Sequence, residues 1–321
     1  MQNFTSFIPY IGIALVLFIA ELVYFKIADK FNIIDKPNLR SSHTTITLRG
    51  GGIIFFLGMM VYAVWSGFSY PWFLLGLSMI SVISFIDDIA ELSPKARLVV
   101  QFTAMFLMFY QWGMTAMPIW YIAIALIVCT GIINAYNFMD GINGITGGYS
   151  LAVLLPLAFI NSRVDFVDQD MIITAIISVL VFNFFNFRKK AKCFAGDVGS
   201  VSIAFIVLFF LGKLILHTEN PVYIMFLAVY GIDSVLTIVH RIMLKENISK
   251  PHRKHMYQIM ANELRIPHVV VSSVYMLMQM VISFGLIMYA GNIYFYAMGI
   301  LMVLAMGYVI FMKRYFSLHL G

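Results

Sequence analysis

The segment PWFLLGLSMISVISFIDDIAELSPKARLVVQ, residues 71–101, joins an apolar run to two adjacent carboxylates. A mostly apolar run of about 17–25 residues is the length that crosses a bilayer as an α-helix. Asp87 and Asp88 end that run at the edge of the hydrocarbon region, where ionised side chains are unfavourable and usually functional. The segment therefore predicts a membrane-spanning helix that carries functional carboxylates at one end.

The composition extends this prediction to the whole chain. Of 321 residues, 61% are hydrophobic and 11% are charged, whereas soluble domains carry roughly 25% charged residues. We expect an all-α polytopic membrane protein that forms one domain over residues 1–321, with about eleven transmembrane helices. Hydropathy places the spans at 6–27, 50–66, 71–87, 97–112, 117–134, 144–161, 170–187, 200–216, 221–240, 268–289 and 292–312.

The distribution of basic residues predicts the orientation of these spans. Counted from the N-terminus, the odd-numbered connections and the C-terminal tail hold 19 of the 21 Lys and Arg residues. Connections rich in Lys and Arg stay in the cytoplasm, so we expect the N-terminus outside and the C-terminus in the cytoplasm. This asymmetry also accounts for most of the net charge of +6, and no nucleic-acid partner is needed to explain it.

The acidic residues of the cytoplasmic side gather in the motifs FIDDIAELSPKAR, NAYNFMDGINGITGG and FAGDVGS. Mg²⁺ takes oxygen ligands, usually one or two carboxylates together with phosphate and water. Basic side chains and backbone N–H groups can hold the remaining phosphate oxygens. The pattern predicts a metal–diphosphate site at the cytoplasmic face. Its acidic members are Asp87, Asp88, Glu91, Asp140 and Asp197.

Other interpretations of these carboxylates stay open on the residues alone. Each one at a helix end can be a solvated cap, and Asp233, inside a predicted span, can be functional or can pair with a neighbouring helix. A secondary transporter would place its carboxylates near the bilayer midplane, where only Asp233 and Glu21 lie. A CDP-alcohol phosphotransferase is a second alternative, but its motif requires Ala-Arg where this chain has GITGG after DGIN.

Six stretches carry a resemblance to a known family: DKPNLRSSHT, RGGG, FIDD, NAYNFMDGINGI, FAGDVGS and HRKHMYQ, in this order. In them the chain resembles the polyprenyl-phosphate N-acetylhexosamine-1-phosphate transferases of glycosyltransferase family 4, which include WecA-like and WbpL-like enzymes. The resemblance implies transfer of a sugar 1-phosphate from a UDP-N-acetylhexosamine to undecaprenyl phosphate, with release of UMP and with Mg²⁺ or Mn²⁺ as cofactor. It also implies a multi-pass protein of the bacterial inner membrane, a homodimer, and a role in O-antigen or capsule synthesis.

The resemblance further implies roles for individual residues. Asp87 would be the base, or the group that orients the attacking lipid phosphate, with Asp88 beside it. Asp197 would be the main Mg²⁺ ligand, with Asp88 as a second one. Asn137 and Asp140 would line the catalytic pocket. The other substrate-binding residues would be Gly141, Ile142, Asn143 and Phe194 at the uracil, and His252, Arg253 and His255 at the diphosphate or sugar.

Two positions depart from the family pattern. Asn143 stands where the family's DGxDG motif has a second Asp, which puts a charged role at that position in doubt. HRKH stands where the cell-wall branch has three consecutive His residues, which argues against a pentapeptide-bearing sugar. The sequence leaves open the sugar (GlcNAc, GalNAc or a 6-deoxy sugar) and the choice between direct attack and a covalent aspartyl intermediate.

Overall fold

The structure is a computed structural model, and it describes residues 7–37, 42, 45–90, 92–248 and 252–320. Glu91 and most of the NLRSSHT stretch lie outside these described residues. The chain folds as an all-α protein, as expected, with one short antiparallel strand pair, β1 Ile34–Asp35 and β2 Thr47–Leu48. Its helices are α1 Ile8–Lys30, α2 Ile53–Trp65, α3 Pro71–Ile89, α4 Pro94–Gln111, α5 Ile119–Met139, α6 Ile145–Val164, α7 Gln169–Asn186, α8 Gly196–Thr218, α9 Ala228–Met243, α10 Met256–Gln258, α11 His268–Met288 and α12 Ile293–Tyr315.

Nine helical segments of the described chain are long and apolar enough to span a membrane. The multi-pass prediction is therefore confirmed. Every predicted span coincides with a helix, but two of these helices fall outside the nine. Helix α2 has 13 residues, and α4 starts with the polar sequence Pro-Lys-Ala-Arg. The number eleven stays a prediction.

Three helix ends differ by more than three residues from the predicted spans. Helix α5 continues beyond residue 134 to Met139, and α8 begins at Gly196 rather than at 200. The segment before α9 is a 3₁₀-helix, Pro221–Leu227, because Asn220 caps its first turn and Pro221 fixes its first backbone angle. The first two differences have a functional consequence, since they place Asn137 and Asp197 on helix ends instead of in loops.

Helix α8 is the centre of the bundle. Its most apolar stretch is 78% buried, whereas those of α5 and α12 are each 17% buried. Helix α8 packs against α2, α3, α5 and α6. The exposed faces of α5 and α12 are apolar, as expected of surfaces that contact lipid.

Helices α2 and α8 meet through glycines at their N-terminal ends. A Cβ atom on Gly52 would lie 2.3 Å from the Cα of Gly199 and 2.9 Å from the backbone oxygen of Ala195. Since no side chain can occupy that space, the two backbones touch directly. Small residues allow this close approach between helices in membranes.

We expect Gly52→Ala to lower the thermal stability of the protein, because the added methyl group meets backbone and cannot be accommodated by a rotamer change. Overpacking of this kind typically costs about 1–3 kcal/mol. Gly299→Ala in α12 is the matched control, since no atom lies within 4 Å of its added Cβ. Thermal unfolding of both variants in detergent checks this, and equal melting temperatures would contradict the close contact.

Candidate active site

The glycine segment before α2 runs alongside the segment that leads into α8. The backbone N–H of Gly51 donates to the carbonyl of Phe194 at 2.9 Å, and that of Gly52 donates to the carbonyl of Ala195 at 3.1 Å. Gly196 has φ +71°, and a Cβ there would lie 2.6 Å from a carboxylate oxygen of Asp88. The glycines of RGGG and FAGD therefore bring the two segments together at the inner end of α3.

Asp88 holds the first turn of α8. Its two carboxylate oxygens accept the backbone N–H groups of Asp197 at 2.8 Å and Val198 at 3.0 Å. Arg49 Nε lies 2.7 Å from the same carboxylate, whose side chain is fully buried. Anions are stabilised at helix N-termini, and these three donors compensate the burial of the charge. The geometry places Asp88 behind Asp197 as a positioning residue, not in contact with the cavity.

Asp87 and Asp197 face each other through Arg97. Arg97 Nη1 forms an ion pair with Asp87 Oδ2 and lies 3.4 Å from Asp197 Oδ2. The two carboxylates thus lie beside the same guanidinium. Asp87 Oδ1 accepts the backbone N–H of Leu92 at 2.7 Å. Asp87 and Asp88 thus have different partners, as their directions on a helix predict.

Asp197 is the most highly connected carboxylate of the site. Its Oδ1 accepts a hydrogen bond from Asn137 Nδ2 at 3.1 Å and lies 3.4 Å from Arg49 Nη2. Its side chain stays 22% exposed, unlike that of Asp88. Arg49 and Arg97 were not identified as site residues from the sequence, although both lie within the quoted motifs RGGG and FIDDIAELSPKAR. Their partners are distant along the chain, and only the fold brings them together.

A cavity of about 1000 Å³ opens beside Asp197. Most of the residues expected at the catalytic pocket and the uracil do line it: Asn137, Asp140, Gly141, Ile142, Asn143, Phe194 and Asp197. It is also lined by residues that were not predicted: Asp35, Ser42, Arg49, Asn186, Gly196, Gln258 and His268. The expected residues Asp87, Asp88, His252, Arg253 and His255 are not among its lining residues.

Asp140 changes charge near neutral pH. Burial raises the pKa of its carboxyl to about 7, and the negative charges of Asp197 and Asp88 raise it further, while the hydrogen bond from Thr146 opposes the shift. Thr146 Oγ1 donates to Asp140 Oδ1 at 2.6 Å. A carboxyl that is partly protonated at pH 7 can donate a hydrogen bond to a phosphate oxygen as well as accept one.

Hydrogen bonds of two side-chain amides, those of Asn143 and Asn186, hold the loop between α5 and α6 in place. Asn143 Nδ2 donates to the carbonyls of Arg188 at 3.0 Å and Lys189 at 3.2 Å, and Ser272 Oγ donates to the carbonyl of Asn143 at 2.8 Å. Asn186 Oδ1 accepts the N–H of Gly144 at 2.7 Å. An ionised Asp at position 143 could not donate to these two carbonyls, whereas the amide of Asn143 does.

Asp233 anchors the connection between α9 and α11. Its carboxylate accepts the backbone N–H of Met256 at 2.9 Å, the N–H of Tyr257 at 3.5 Å and the hydroxyl of Tyr275 at 2.7 Å. Tyr257 Oη in turn donates to the carbonyl of Phe138 at 2.9 Å. Asp233 thus pairs within the bundle and holds this connection against the inner end of α5.

The histidines of the same connection lie behind the cavity. His255 is 2% exposed, and its Nδ1 lies 3.4 Å from Asp233 Oδ1. The His252 ring is 5.0 Å from that of His255. Burial lowers the pKa of His252 to about 3, and the positive charges of His255 and Arg241 contribute, so His252 is neutral at physiological pH. In this part of the chain, Gln258 and His268 reach the cavity instead.

A second cavity lies on the other side of Asp197, with a volume of about 500 Å³. Arg97, Asn134, Asn137 and Gln101 supply its polar lining, and Gln101 Nε2 is buried without a hydrogen-bond partner in the described structure. An apolar cavity of about 1000 Å³ follows between α5 and α8. These two cavities are lined by successive residues of α5, Ile133 and Ile132. Asp197 and Asn137 thus line both the first cavity and the second one, and the apolar cavity lies further along α5 and α8.

The donor set fits Mg²⁺ when a phosphate completes it. Within the described residues, no group of three or more His, Cys, Asp or Glu side chains is spaced to hold a metal by itself. Mg²⁺ needs only one or two carboxylates, since phosphate and water supply the remaining oxygens. Asp87 and Asp197, whose carboxylates both lie beside Arg97, are the two carboxylates that would hold such an ion.

We expect Asn143→Asp to weaken the α5–α6 loop, although Asp is the residue usual in the family. The carboxylate would face the carbonyls of Arg188 and Lys189 with no proton to donate. An unsatisfied buried polar contact typically costs about 1–3 kcal/mol. Thermal unfolding at pH 7.5 checks this, with Asn247→Asp as a control for the same chemical change in the connection after α9. Equal stability of Asn143→Asp and the wild type would contradict the assigned hydrogen bonds.

The part of the chain that carries this site is similar to known proteins. The family model of glycosyl transferase family 4 matches residues 70–215, the range that contains Asp87, Asn137, Asp140 and Asp197. An undecaprenyl-phosphate alpha-N-acetylglucosaminyl 1-phosphate transferase of Escherichia coli (strain K12) is 29% identical over 283 residues, covering 77% of this chain and 74% of the relative. A probable undecaprenyl-phosphate N-acetylglucosaminyl 1-phosphate transferase of Bacillus subtilis (strain 168) is 28% identical over 275 residues, with the same shares. These matches confirm the resemblance carried by the motifs: the chain is similar to glycosyl transferase family 4 over residues 70–215.

Proposed function

We propose that this membrane enzyme transfers an N-acetylhexosamine 1-phosphate from a UDP-sugar to undecaprenyl phosphate and releases UMP. The names of its relatives support the lipid acceptor and favour GlcNAc as the sugar. The observation that carries the proposal is that Asp197, at the inner end of the apolar helix α8, lines both a polar cavity and a second cavity. A lipid phosphate and a water-soluble nucleotide sugar can meet only at the boundary between membrane and water. The product would begin an envelope polysaccharide such as O-antigen or capsule.

The polar cavity suits the nucleotide sugar. Phe194 offers a ring for stacking on uracil, and the loop at Gly141, Ile142 and Asn143 faces the same space. Arg49 lines the cavity beside Asp197 and supplies a guanidinium for the diphosphate. Guanidinium groups bind phosphate through two parallel hydrogen bonds, so Arg49 can fix the diphosphate next to the acidic pair.

The second cavity suits the acceptor phosphate. Arg97 lines it with a side chain that is 45% exposed, and Asp87 holds this guanidinium through an ion pair. A lipid phosphate is already ionised, and it needs orientation more than deprotonation. In this proposal Asp87 therefore orients the acceptor phosphate through Arg97, in addition to holding Mg²⁺ with Asp197.

The reaction that follows is a direct in-line displacement. An oxygen of the lipid phosphate bonds to the phosphorus that carries the sugar, and the bond from that phosphorus to the bridging oxygen breaks. UMP leaves with the bridging oxygen and the electron pair. Mg²⁺ held by Asp197 and Asp87 would neutralise the negative charge that develops in such a transfer. Asp88 keeps Asp197 in place through the start of α8.

The same proposal includes the orientation in the membrane. Arg49 before α2, Asp88 at the end of α3 and Asp197 at the start of α8 lie together, which supports alternating directions for these helices. With α2 and α4 counted as crossings, the chain has eleven spans. The bias of Lys and Arg then puts the site at the cytoplasmic face of the inner membrane, with the N-terminus outside.

The assay that tests this function measures UMP release by purified protein with undecaprenyl phosphate, Mg²⁺ and a panel of UDP-sugars. We expect UDP-GlcNAc to release UMP only when the lipid is present. A stoichiometric burst of UMP without lipid would replace direct attack by a covalent intermediate. No lipid-dependent UMP from any sugar of the panel would contradict the proposal.

We expect Asp197→Asn to lower turnover at least about 100-fold, since loss of a metal contact in the transition state costs several kcal/mol, and to raise the Mg²⁺ concentration needed. Its melting temperature should stay close to that of the wild type.

Asp88→Asn should lower activity and melting temperature together, because an amide oxygen cannot accept all three donors. Asp165→Asn, at an exposed helix end on the other side of the bundle, is the control.

Two outcomes would contradict these assignments. Near-normal turnover of Asp197→Asn at ordinary Mg²⁺ would remove Asp197 as the main ligand. Rescue of Asp88→Asn by added Mg²⁺, with unchanged stability, would restore the metal-binding role that the family resemblance implies for Asp88.

We expect a membrane-impermeant maleimide to label Ser162→Cys, but not Lys190→Cys, in intact cells. Both positions are exposed at opposite ends of the bundle, and the native Cys129 and Cys193 are buried. Labelling of Lys190→Cys only after permeabilisation would support the cytoplasmic site. Labelling of Lys190→Cys from outside would contradict the orientation.

A further inference from the structure

A groove of about 980 Å³ lies between the inner ends of α9 and α12, apart from the cavities around Asp197. We call it the α9–α12 groove. Its apolar walls include Val239 and Met243 of α9 and Val309 and Met312 of α12. Val239, Met243 and Val309 are 44%, 75% and 58% exposed, so the groove is open to its surroundings along most of its length.

The inner rim of the groove is polar. His240 and Lys313 line it together with the apolar residues. Phe316 ties this rim to the end of the bundle that carries the active site, since its ring is 4.3 Å from that of His240 and 5.5 Å from the ammonium of Lys254. The α9–α12 groove is thus apolar along its walls and basic at its inner rim. An amphipathic anion has the complementary distribution of apolar and charged groups.

We propose that the α9–α12 groove binds one anionic phospholipid, with an acyl chain between the helices and the phosphate at Lys313 and His240. Two features select this occupant. The groove lies between two membrane-spanning helices, where acyl chains surround the protein. Its basic rim lies at the end of the bundle where Lys and Arg collect, and basic pockets between helices on that side bind acidic headgroups.

The walls of the groove connect its occupant to the active site. Tyr308, which lines the groove, shares a hydrogen bond with Thr237 at 2.9 Å, and Thr237 Oγ1 donates to Asp233 at 3.2 Å. Asp233 holds the connection between α9 and α11 that reaches the catalytic cavity. A bound lipid thus supports the same carboxylate that positions Tyr257 and Gln258, and the site is separate from that of the acceptor lipid.

Native mass spectrometry of the full-length protein in detergent tests this proposal, with phosphatidylglycerol and phosphatidylcholine of identical acyl chains. We expect the wild type to retain one phosphatidylglycerol in preference to phosphatidylcholine. Lys313→Gln should bind it about fivefold more weakly, since one basic residue at a membrane surface is worth about 1 kcal/mol. Arg314→Gln removes the same charge one residue away, outside the groove, and should match the wild type.

A steric pair of variants tests the groove itself. Val309→Trp should abolish retention of the lipid by filling the groove, whereas Val303→Trp, at an exposed position of α12 outside it, should not. Equal retention of the two lipids, or equal losses in Lys313→Gln and Arg314→Gln, would overturn the proposal. A change from dimer to monomer in Val309→Trp, with lipid retention unchanged, would overturn it in favour of a second copy of the chain. These readouts do not depend on transferase activity.

Discussion

The architecture of the site depends on one buried carboxylate, that of Asp88. It accepts two consecutive backbone N–H groups at the start of α8 and an N–H of Arg49. A buried charge is strongly unfavourable unless such partners compensate it. Because the three donors come from α8 and from the glycine segment before α2, the compensation of this charge joins α2, α3 and α8. The position of Asp197, and with it the boundary between the two cavities, follows from that junction.

The bundle uses the same arrangement a second time. Asp233 accepts two consecutive N–H groups at the start of α10, Met256 and Tyr257, just as Asp88 does for α8. In both cases a carboxylate on one helix caps the N-terminus of another, whose positive dipole end it complements. Acidic residues near the inner ends of spans therefore fall into two groups here. Asp88 and Asp233 fix the scaffold, whereas Asp197 and Asp140 face the cavity.

The sequence predicted the parts of the site that depend on local pattern. Apolar runs located the helices, and motifs located Asn137, Asp140 and Asp197, because the chemistry of phosphate and metal binding needs those residue types. It assigned Asp87 and Asp88 different roles, but it expected Asp88 at the metal, whereas the fold directs Asp88 to Arg49 and to the start of α8. Arg49 and Arg97 were missed because each pairs with Asp197, more than 90 positions away. His255 was expected at the substrate, but it lies beside the buried Asp233 instead. The periodicity of apolar residues along the sequence does not indicate a contact between two side chains that are distant in the chain.

The glycine contact between α2 and α8 has a consequence for how the protein is made. With 13 residues, α2 is about 20 Å long, shorter than the hydrocarbon core of about 30 Å. Its stability in the membrane therefore comes from Gly52 against Gly199 and from Gly58 against Ser178, and both partners are synthesised more than a hundred residues later. During translation these contacts of α2 can form only after α7 and α8 have been synthesised. The ion pair of Arg49 with Asp197 likewise forms only once the start of α8 is present.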